Sequence, residues 1–207
     1  MQVLFGGTFD PVHDGHVAMV DQLRVTFPSA TIHVIPNRRP PHRNSEVSAT
    51  HRLEMAHLAM GHLTGIKINR IEFERSGPSY TIDTLNVLRE QFGNDESLVL
   101  VLGADAISKM ETWYKPRTVP LLCNVCILNR AGEHIGIPSA LAEMNEIVDG
   151  ALLDNLPRGN LIRLQTPDLF VSSTLVRSLI ARGAKQLPVP PKVADYIVKH
   201  DLYQDPE

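Results

Sequence analysis

Met1-Gln2-Val3-Leu4-Phe5-Gly6-Gly7-Thr8-Phe9-Asp10-Pro11-Val12-His13-Asp14-Gly15-His16 runs from an apolar triplet into two glycines and on to a His-x-x-His spacing. Val3 to Phe5 reads as a buried strand. Val17 to Phe27, with apolar residues three and four apart, reads as the helix after it. Glycines at a strand end let backbone amides approach a ligand closely, and a helix N-terminus presents unpaired N–H groups with partial positive charge. Phosphate suits such a segment. His13 and His16 add hydrogen-bond donors, stronger when protonated, that can stabilise charge growing in a transition state. The same histidines could bind a metal with Asp10 or Asp14, or serve as capping and core residues, but no partner spacing elsewhere completes a metal site.

The pattern continues along the chain. Thr31 to Ile35, Ile66 to Phe73, Leu98 to Leu102, Val125 to Leu128 and Leu161 to Leu164 read as strands. Ala49 to Gly61, Thr81 to Phe92, Ser173 to Ala181 and Lys192 to His200 read as helices. This alternation predicts an α/β fold with a doubly wound, Rossmann-like parallel sheet, whose ligands sit at the carboxyl ends of the strands. Three stretches interrupt the rhythm. Pro36 to Val47 looks chemical, Ala131 to Asn160 is expected to form short helices and loops without a role, and Pro188, Pro190 and Pro191 are expected to position the last helix.

The length of 207 residues suits one domain spanning 1–207. The net charge of −3 offers no general attraction to nucleic acid or anionic membrane, so anion binding must come from local clusters. The start lacks the cationic flank and long apolar stretch of a secretory signal, and no apolar run approaches the roughly 20 residues of a membrane span. A cytoplasmic location is the expectation. Cys123 and Cys126 have C-x-x-C spacing, but they lie in an apolar strand and its approach, with no second pair to complete a zinc tetrad. Core packing is the reading for both.

The chain contains no G-x-x-x-x-G-K-[ST], and no G-x-G-x-x-G opens the first helix, so neither a P-loop NTPase nor a dinucleotide reader of that type is supported. Gly6 to His16 instead resembles the signature of the nucleotidylyltransferase superfamily, whose H-x-G-H stands here as His13-Asp14-Gly15-His16. Val171-Ser172-Ser173-Thr174-Leu175-Val176-Arg177 resembles that superfamily's I-S-S-T-x-x-R motif, which binds the triphosphate tail. Independently of resemblance, hydroxyls capping a helix and an arginine one turn in form an anion site. The resemblance implies that Gly6, Gly7, Thr8, Phe9, Ser173 and Thr174 bind ATP, and that His13, His16 and Arg177 are catalytic. The C-terminal helical part, about 171–207, would complete the ATP site.

Three more segments resemble the nicotinate-nucleotide adenylyltransferase family. Pro36-Asn37-Arg38-Arg39-Pro40-Pro41-His42-Arg43 is similar to its P-P-H-K loop, with Arg43 where lysine is usual, which implies an ATP contact by Arg43. Ser79-Tyr80-Thr81-Ile82-Asp83-Thr84-Leu85 resembles its S-Y-T-x-D-T-L element, a helix start facing the nicotinate carboxylate. Gly103-Ala104-Asp105, then Trp113-Tyr114-Lys115, resemble its G-x-D and W-Y-K elements, with the indole stacked on the pyridine. The resemblance thus implies ATP binding at Gly103 and Asp105, and nicotinate mononucleotide binding at Ser79, Tyr80, Thr81, Trp113 and Tyr114. Mg2+ would come with ATP, mostly held by water, because no carboxylate cage is present. The expected partners are these two small molecules, with no nucleic acid and no membrane, and a homo-oligomer is allowed. Two other readings share the motifs. One is an adenylyltransferase for nicotinamide mononucleotide or phosphopantetheine, and the other a nucleotide-binding module without turnover.

Overall fold

A computed structural model describes residues 1–41, 45–130, 135–166 and 171–204. Seven parallel strands form one sheet in the order β3-β2-β1-β4-β5-β7-β6: β1 (Gln2–Gly7), β2 (Thr31–Pro36), β3 (Ile66–Ile68), β4 (Leu98–Gly103), β5 (Asn124–Arg130), β6 (Asn145–Ile147) and β7 (Asn160–Thr166). The chain winds outward from β1 to β3, crosses back, and winds the other way from β4. β1 and β4 are therefore neighbours at the switch point, where their carboxyl ends diverge and leave a crevice.

Helices α1 (Asp14–Thr26), α2 (Ala49–Met60), α3 (Thr81–Phe92), α4 (Ala104–Ser108), α5 (Ser173–Ala181) and α6 (Pro191–Lys199) join or flank the strands. The central strands are apolar on both faces, as a doubly covered parallel sheet requires. Val3, Phe5, Val34, Val99, Val101 and Cys126 belong to one core with residues of α1, α2 and α6. Leu4, Ile35, Leu98, Leu100, Leu102, Val125 and Ile127 belong to the other with α3 and α4. Cys123 and Cys126 are free, fully buried thiols, and burial pushes each up to about 12. They pack, as their sequence context predicts.

Some boundaries differ from the sequence pattern, each for a local reason. β3 stops at Ile68 rather than Phe73, because the Asn69 side chain accepts a hydrogen bond from the Ile71 amide at 2.9 Å and turns the chain. Helix α1 starts at Asp14, not Val17, so His13 is its N-cap and His16 lies in its first turn. The 131–160 stretch holds an unexpected edge strand, β6, whose Asn-Glu-Ile sequence carries no alternation long enough to read. The proline segment does more than place α6. The Pro188 carbonyl accepts from the Asp14 amide at 3.0 Å and satisfies part of the α1 N-terminus.

Candidate active site

The crevice at the switch point opens into a cavity of about 420 Å³. Its floor is Phe5 to Thr8 from β1 and Leu100 to Gly103 from β4, and its walls include His16, Asn37, Ser79, Tyr80, Thr81, Asp105, Lys109, Trp113 and Tyr114. Segments separated by about a hundred residues in sequence thus face one space, of the size that holds a small-molecule ligand.

On the β1 side, the signature segment makes a tight structure before α1 begins. Phe9 has φ 52° and is 2% exposed, so its ring is core. It presents an edge to His16 at 4.9 Å between centroids and also packs against Gly7. Only its main chain can serve a ligand, which narrows the ATP contact expected of Phe9 to backbone. The His13 and His16 rings stack at 3.7 Å. The His13 amide donates to His16 Nδ1 at 3.2 Å, which leaves the proton of a neutral His16 ring on Nε2, the nitrogen free to donate to a ligand. Gly15 is required by space, since a Cβ there would meet Val171 Cγ1 at 2.8 Å and the His13 ring at 3.1 Å.

Both imidazoles are neutral in the unliganded fold. Burial lowers His13 to about 4, and burial together with the nearby His13 holds His16 well below the usual histidine range. Their donor capacity is therefore that of neutral N–H groups, the weaker of the two forms that the sequence allowed. His33, in β2, is lowered to about 4 by burial and by Lys67. Its Nδ1 accepts from the Asn69 amide nitrogen at 3.1 Å and its Nε2 donates to Gln2 Oε1 at 2.8 Å.

A stability consequence follows from His13 and His33. Their folded pKa lies below the unfolded value of 6.5, so the unfolded chain takes up protons first as pH falls. Stability is full above about pH 6.5 and drains away down to about pH 4. Urea midpoints measured from pH 7 to pH 4.5 should fall steadily, and His33→Asn should flatten part of that slope. A midpoint independent of pH over this window would contradict the buried neutral rings.

Arg52, Asn37 and Lys109, to which the sequence assigned no role, also shape the pocket, and Ser79 does so in a way its sequence did not show. Arg52 of α2 is 1% exposed, and its guanidinium donates to the carbonyls of Thr8 (2.7 Å), Asn37 (2.6 Å) and Arg38 (3.2 Å). It ties the signature segment to the loop leaving β2. Ser79 is 8% exposed, its hydroxyl accepts from the Arg39 amide at 2.9 Å, and its own amide donates back to the Arg39 carbonyl at 2.8 Å. Ser79 therefore zips that loop onto the start of α3 and brings Pro40 and Pro41 to the pocket wall. Asn37 and Lys109 also face the cavity.

Helix α3 opens into the cavity with Tyr80 as its N-cap, and no side chain caps it. Arg75 donates to the Tyr80 carbonyl at 3.2 Å and to the Thr84 hydroxyl at 2.9 Å, and the latter donates to Glu72 Oε1 at 3.1 Å. With no side-chain cap, the Thr81 and Ile82 amides stay available, whereas the Asp83 amide already donates to the Tyr80 carbonyl at 3.1 Å. Tyr80 and Tyr114 rings meet at 5.0 Å, extending the aromatic wall begun by half-buried Trp113.

Gly6, Gly7, Thr8, His16, Gly103, Asp105, Ser79, Tyr80, Thr81, Trp113 and Tyr114 all line the one cavity. Phe9, His13, Ser173, Thr174 and Arg177 do not, and stand behind or beside it. Ser173 donates to the Pro11 carbonyl at 2.9 Å and Arg177 Nη1 to the Asp10 carbonyl at 2.7 Å, so α5 is fastened to the signature segment, while Thr174 is exposed next to them. Arg43 lies outside the described residues. Asp10, considered above as a metal ligand, has both carboxylate oxygens occupied by Tyr203 and the Glu46 amide.

A cytidylyltransferase-like family model matches residues 4–179. A probable nicotinate-nucleotide adenylyltransferase of Dechloromonas aromatica (strain RCB) is 36% identical over 211 residues, covering 98% of this chain and 97% of the relative. One from Acidithiobacillus ferrooxidans is 35% identical over 210 residues, covering 99% and 96%. Among solved structures, a Plasmodium falciparum nicotinic acid mononucleotide adenylyltransferase complexed with NaAD superposes with a TM-score of 0.70 at 20% identity, covering 98% of this chain and 96% of that one. That last likeness speaks for the fold.

Proposed function

We propose that this chain, which belongs to the nicotinate-nucleotide adenylyltransferase branch of the cytidylyltransferase-like family, transfers the adenylyl group of ATP to nicotinate mononucleotide, forming deamido-NAD and pyrophosphate in NAD biosynthesis. The carrying observation is the uncapped start of α3 facing the signature segment across one cavity. It supplies a carboxylate site opposite a phosphate site.

The nucleophile is the 5′-phosphate of nicotinate mononucleotide, already ionised, so no general base is needed. One of its oxygens attacks the α-phosphorus of ATP in line, the bond to the bridging oxygen breaks, and pyrophosphate leaves. Catalysis rests on alignment and on stabilising charge around phosphorus. The backbone of Gly6 to Phe9 and the His16 Nε2–H face the reacting phosphate, with His13 holding His16 from behind. Arg177, Ser173 and Thr174 take the triphosphate tail, joined by Arg43. Asp105, in the first turn of α4 just after β4, takes a ribose hydroxyl or a magnesium-bound water, with Gly103 leaving room beside it. Thr81 and the Ile82 amide bind the nicotinate carboxylate, Tyr80, Trp113 and Tyr114 flank the pyridine ring, and Ser79 secures the loop above it.

The donor set suits Mg2+ delivered on ATP. Among the described residues the cavity offers one carboxylate, Asp105, beside amides, hydroxyls, rings and the Lys109 ammonium, which would suit a cation that keeps its waters and its phosphate ligands. The ion supplies charge neutralisation on the triphosphate, and the side chains above supply the geometry. The chain works as one domain, with α5 and α6 completing the ATP site, and acts in the cytoplasm. Among the described residues, no helix is long and apolar enough to cross a membrane.

The test is an acceptor series with Mg-ATP, in which pyrophosphate release is measured with nicotinate mononucleotide, nicotinamide mononucleotide and phosphopantetheine. The acid should be preferred over the amide by roughly tenfold or more in kcat/KM, since the amide cannot place a negative charge at the α3 start. Equal use of acid and amide would remove the assignment of that helix start, and no turnover with any acceptor would leave only a nucleotide-binding module.

A further inference from the structure

After α6 the chain does not trail away. Asp201 and Tyr203 adopt positive φ (49° and 62°), the Leu202 amide bonds to the Ile197 carbonyl at 3.0 Å, and Leu202 is 8% exposed in the core. Left-handed conformations in non-glycine residues persist where surroundings enforce them. Here they swing the Tyr203 ring inward, where its hydroxyl donates to Asp10 Oδ1 at 2.8 Å.

Asp10 is 3% exposed and gathers contacts from three distant parts of the chain. Oδ1 takes Tyr203, Oδ2 takes the Glu46 amide at 2.7 Å, and the main-chain carbonyl takes Arg177. The neighbouring carbonyls are held too, Thr8 by Arg52 and Pro11 by Ser173. Three carbonyls of the Thr8–Pro11 segment are thus engaged by side chains. Because a trans peptide unit is planar with C=O and N–H opposed, fixing the Thr8 and Pro11 carbonyls also fixes the directions of the Phe9 and Val12 N–H groups, while the Asp10 carbonyl, which precedes Pro11 and so has no N–H after it, anchors the chain between them. A segment that must receive polyphosphate gains from this, since its oxygen atoms are kept occupied.

We propose that Tyr203 is a positioning residue for adenylyl transfer, acting through Asp10 to fix the Thr8–Pro11 backbone and the Arg177 guanidinium against ATP. This rests on the adenylyltransferase reading for its kinetic arm. Burial and the adjacent Asp10 push the Tyr203 phenol far above its ordinary range, so it stays a donor throughout the working pH range.

The experiment compares full-length wild type, Tyr203→Phe and Tyr196→Phe. Tyr203→Phe keeps the ring that fills the buried space and removes only the donor. Tyr196→Phe removes a hydroxyl of α6 that bonds His51 Nδ1 at 2.9 Å, away from the signature segment. Expected is a fall in kcat of about tenfold for Tyr203→Phe with KM for nicotinate mononucleotide within about twofold, and an ATP dissociation constant raised by about fivefold by calorimetry, the scale of one buried bond to a carboxylate. Tyr196→Phe should keep kcat and ATP affinity at wild-type values even where its melting temperature drops. If Tyr203→Phe melts earlier yet retains kcat and ATP affinity, or if the two variants lose activity alike, the positioning role is overturned. Should wild type fail to turn over nicotinate mononucleotide, the functional reading fails by itself, and the ATP affinities of the two variants still decide the role of Tyr203.

Discussion

His16→Ala is expected to lower kcat by about two orders of magnitude or more while the KM values of both substrates stay close to wild type, the pattern of a donor used mainly in the transition state. The His16 ring lines the cavity and its Nδ1 is occupied by the His13 amide, so the proton offered to the reacting phosphate sits on Nε2. Alanine removes that donor, but it also removes the acceptor for the His13 amide and so weakens the start of α1. His16→Asn separates the two losses. Its short side-chain oxygen can take over the His13 amide, as Asn and Asp do near helix starts, without reaching the phosphate. Asn should therefore recover melting temperature but not turnover, read by pyrophosphate release in single-turnover conditions. Turnover within about tenfold of wild type in either variant would exclude His16 from charge stabilisation.

Arg52→Met should cost about 3 to 5 kcal/mol of folding stability, the range found when a buried ionic or hydrogen-bonding group is removed and its partners stay behind. Methionine preserves most of the apolar stem, so the loss isolates the guanidinium. The carbonyls of Thr8, Asn37 and Arg38 would lose their donor at a site that is 1% exposed. Burial already lowers the Arg52 pKa, against the raising influence of Asp10, Tyr203 and Glu72, so the cation persists here because those partners compensate it. Against a typical total of roughly 5 to 15 kcal/mol, such a loss brings the domain close to unfolding at growth temperature. The urea midpoint should fall with an unchanged slope. A shift below about 1 kcal/mol would mean that water or a rearranged loop replaces the clamp.

The alternation of apolar runs and amphipathic segments was enough to read the doubly wound sheet, because buried parallel strands and their covering helices leave local signatures. The Gly6–His16 turn was readable for a related reason: glycines, a helix start and two histidines are neighbours in sequence as well as in space. Thr81, Asp105 and Trp113 were legible through resemblance, and the fold then brings them to one cavity. Arg52 was not. An arginine on an amphipathic helix reads as solvated, and only three carbonyls from two separate loops make its burial favourable. Tyr203 has the same difficulty, since its partner lies 193 residues away. The neutral state of the histidines was hidden as well, because desolvation depends on packing that no local pattern encodes. β6 was missed because three residues, two of them polar, carry no period.

The two outermost strands, β3 and β6, are only three residues long each, and β3 is cut short by the Asn69 turn. Parallel strands joined by long crossovers assemble late in folding, so such sheets spend time with open flanks. A brief flank presents few free amides and carbonyls to another chain, and β6 adds an exposed glutamate that disfavours stacking. The seven-stranded sheet is thereby protected at its margins against the cross-molecular pairing that leads to aggregates.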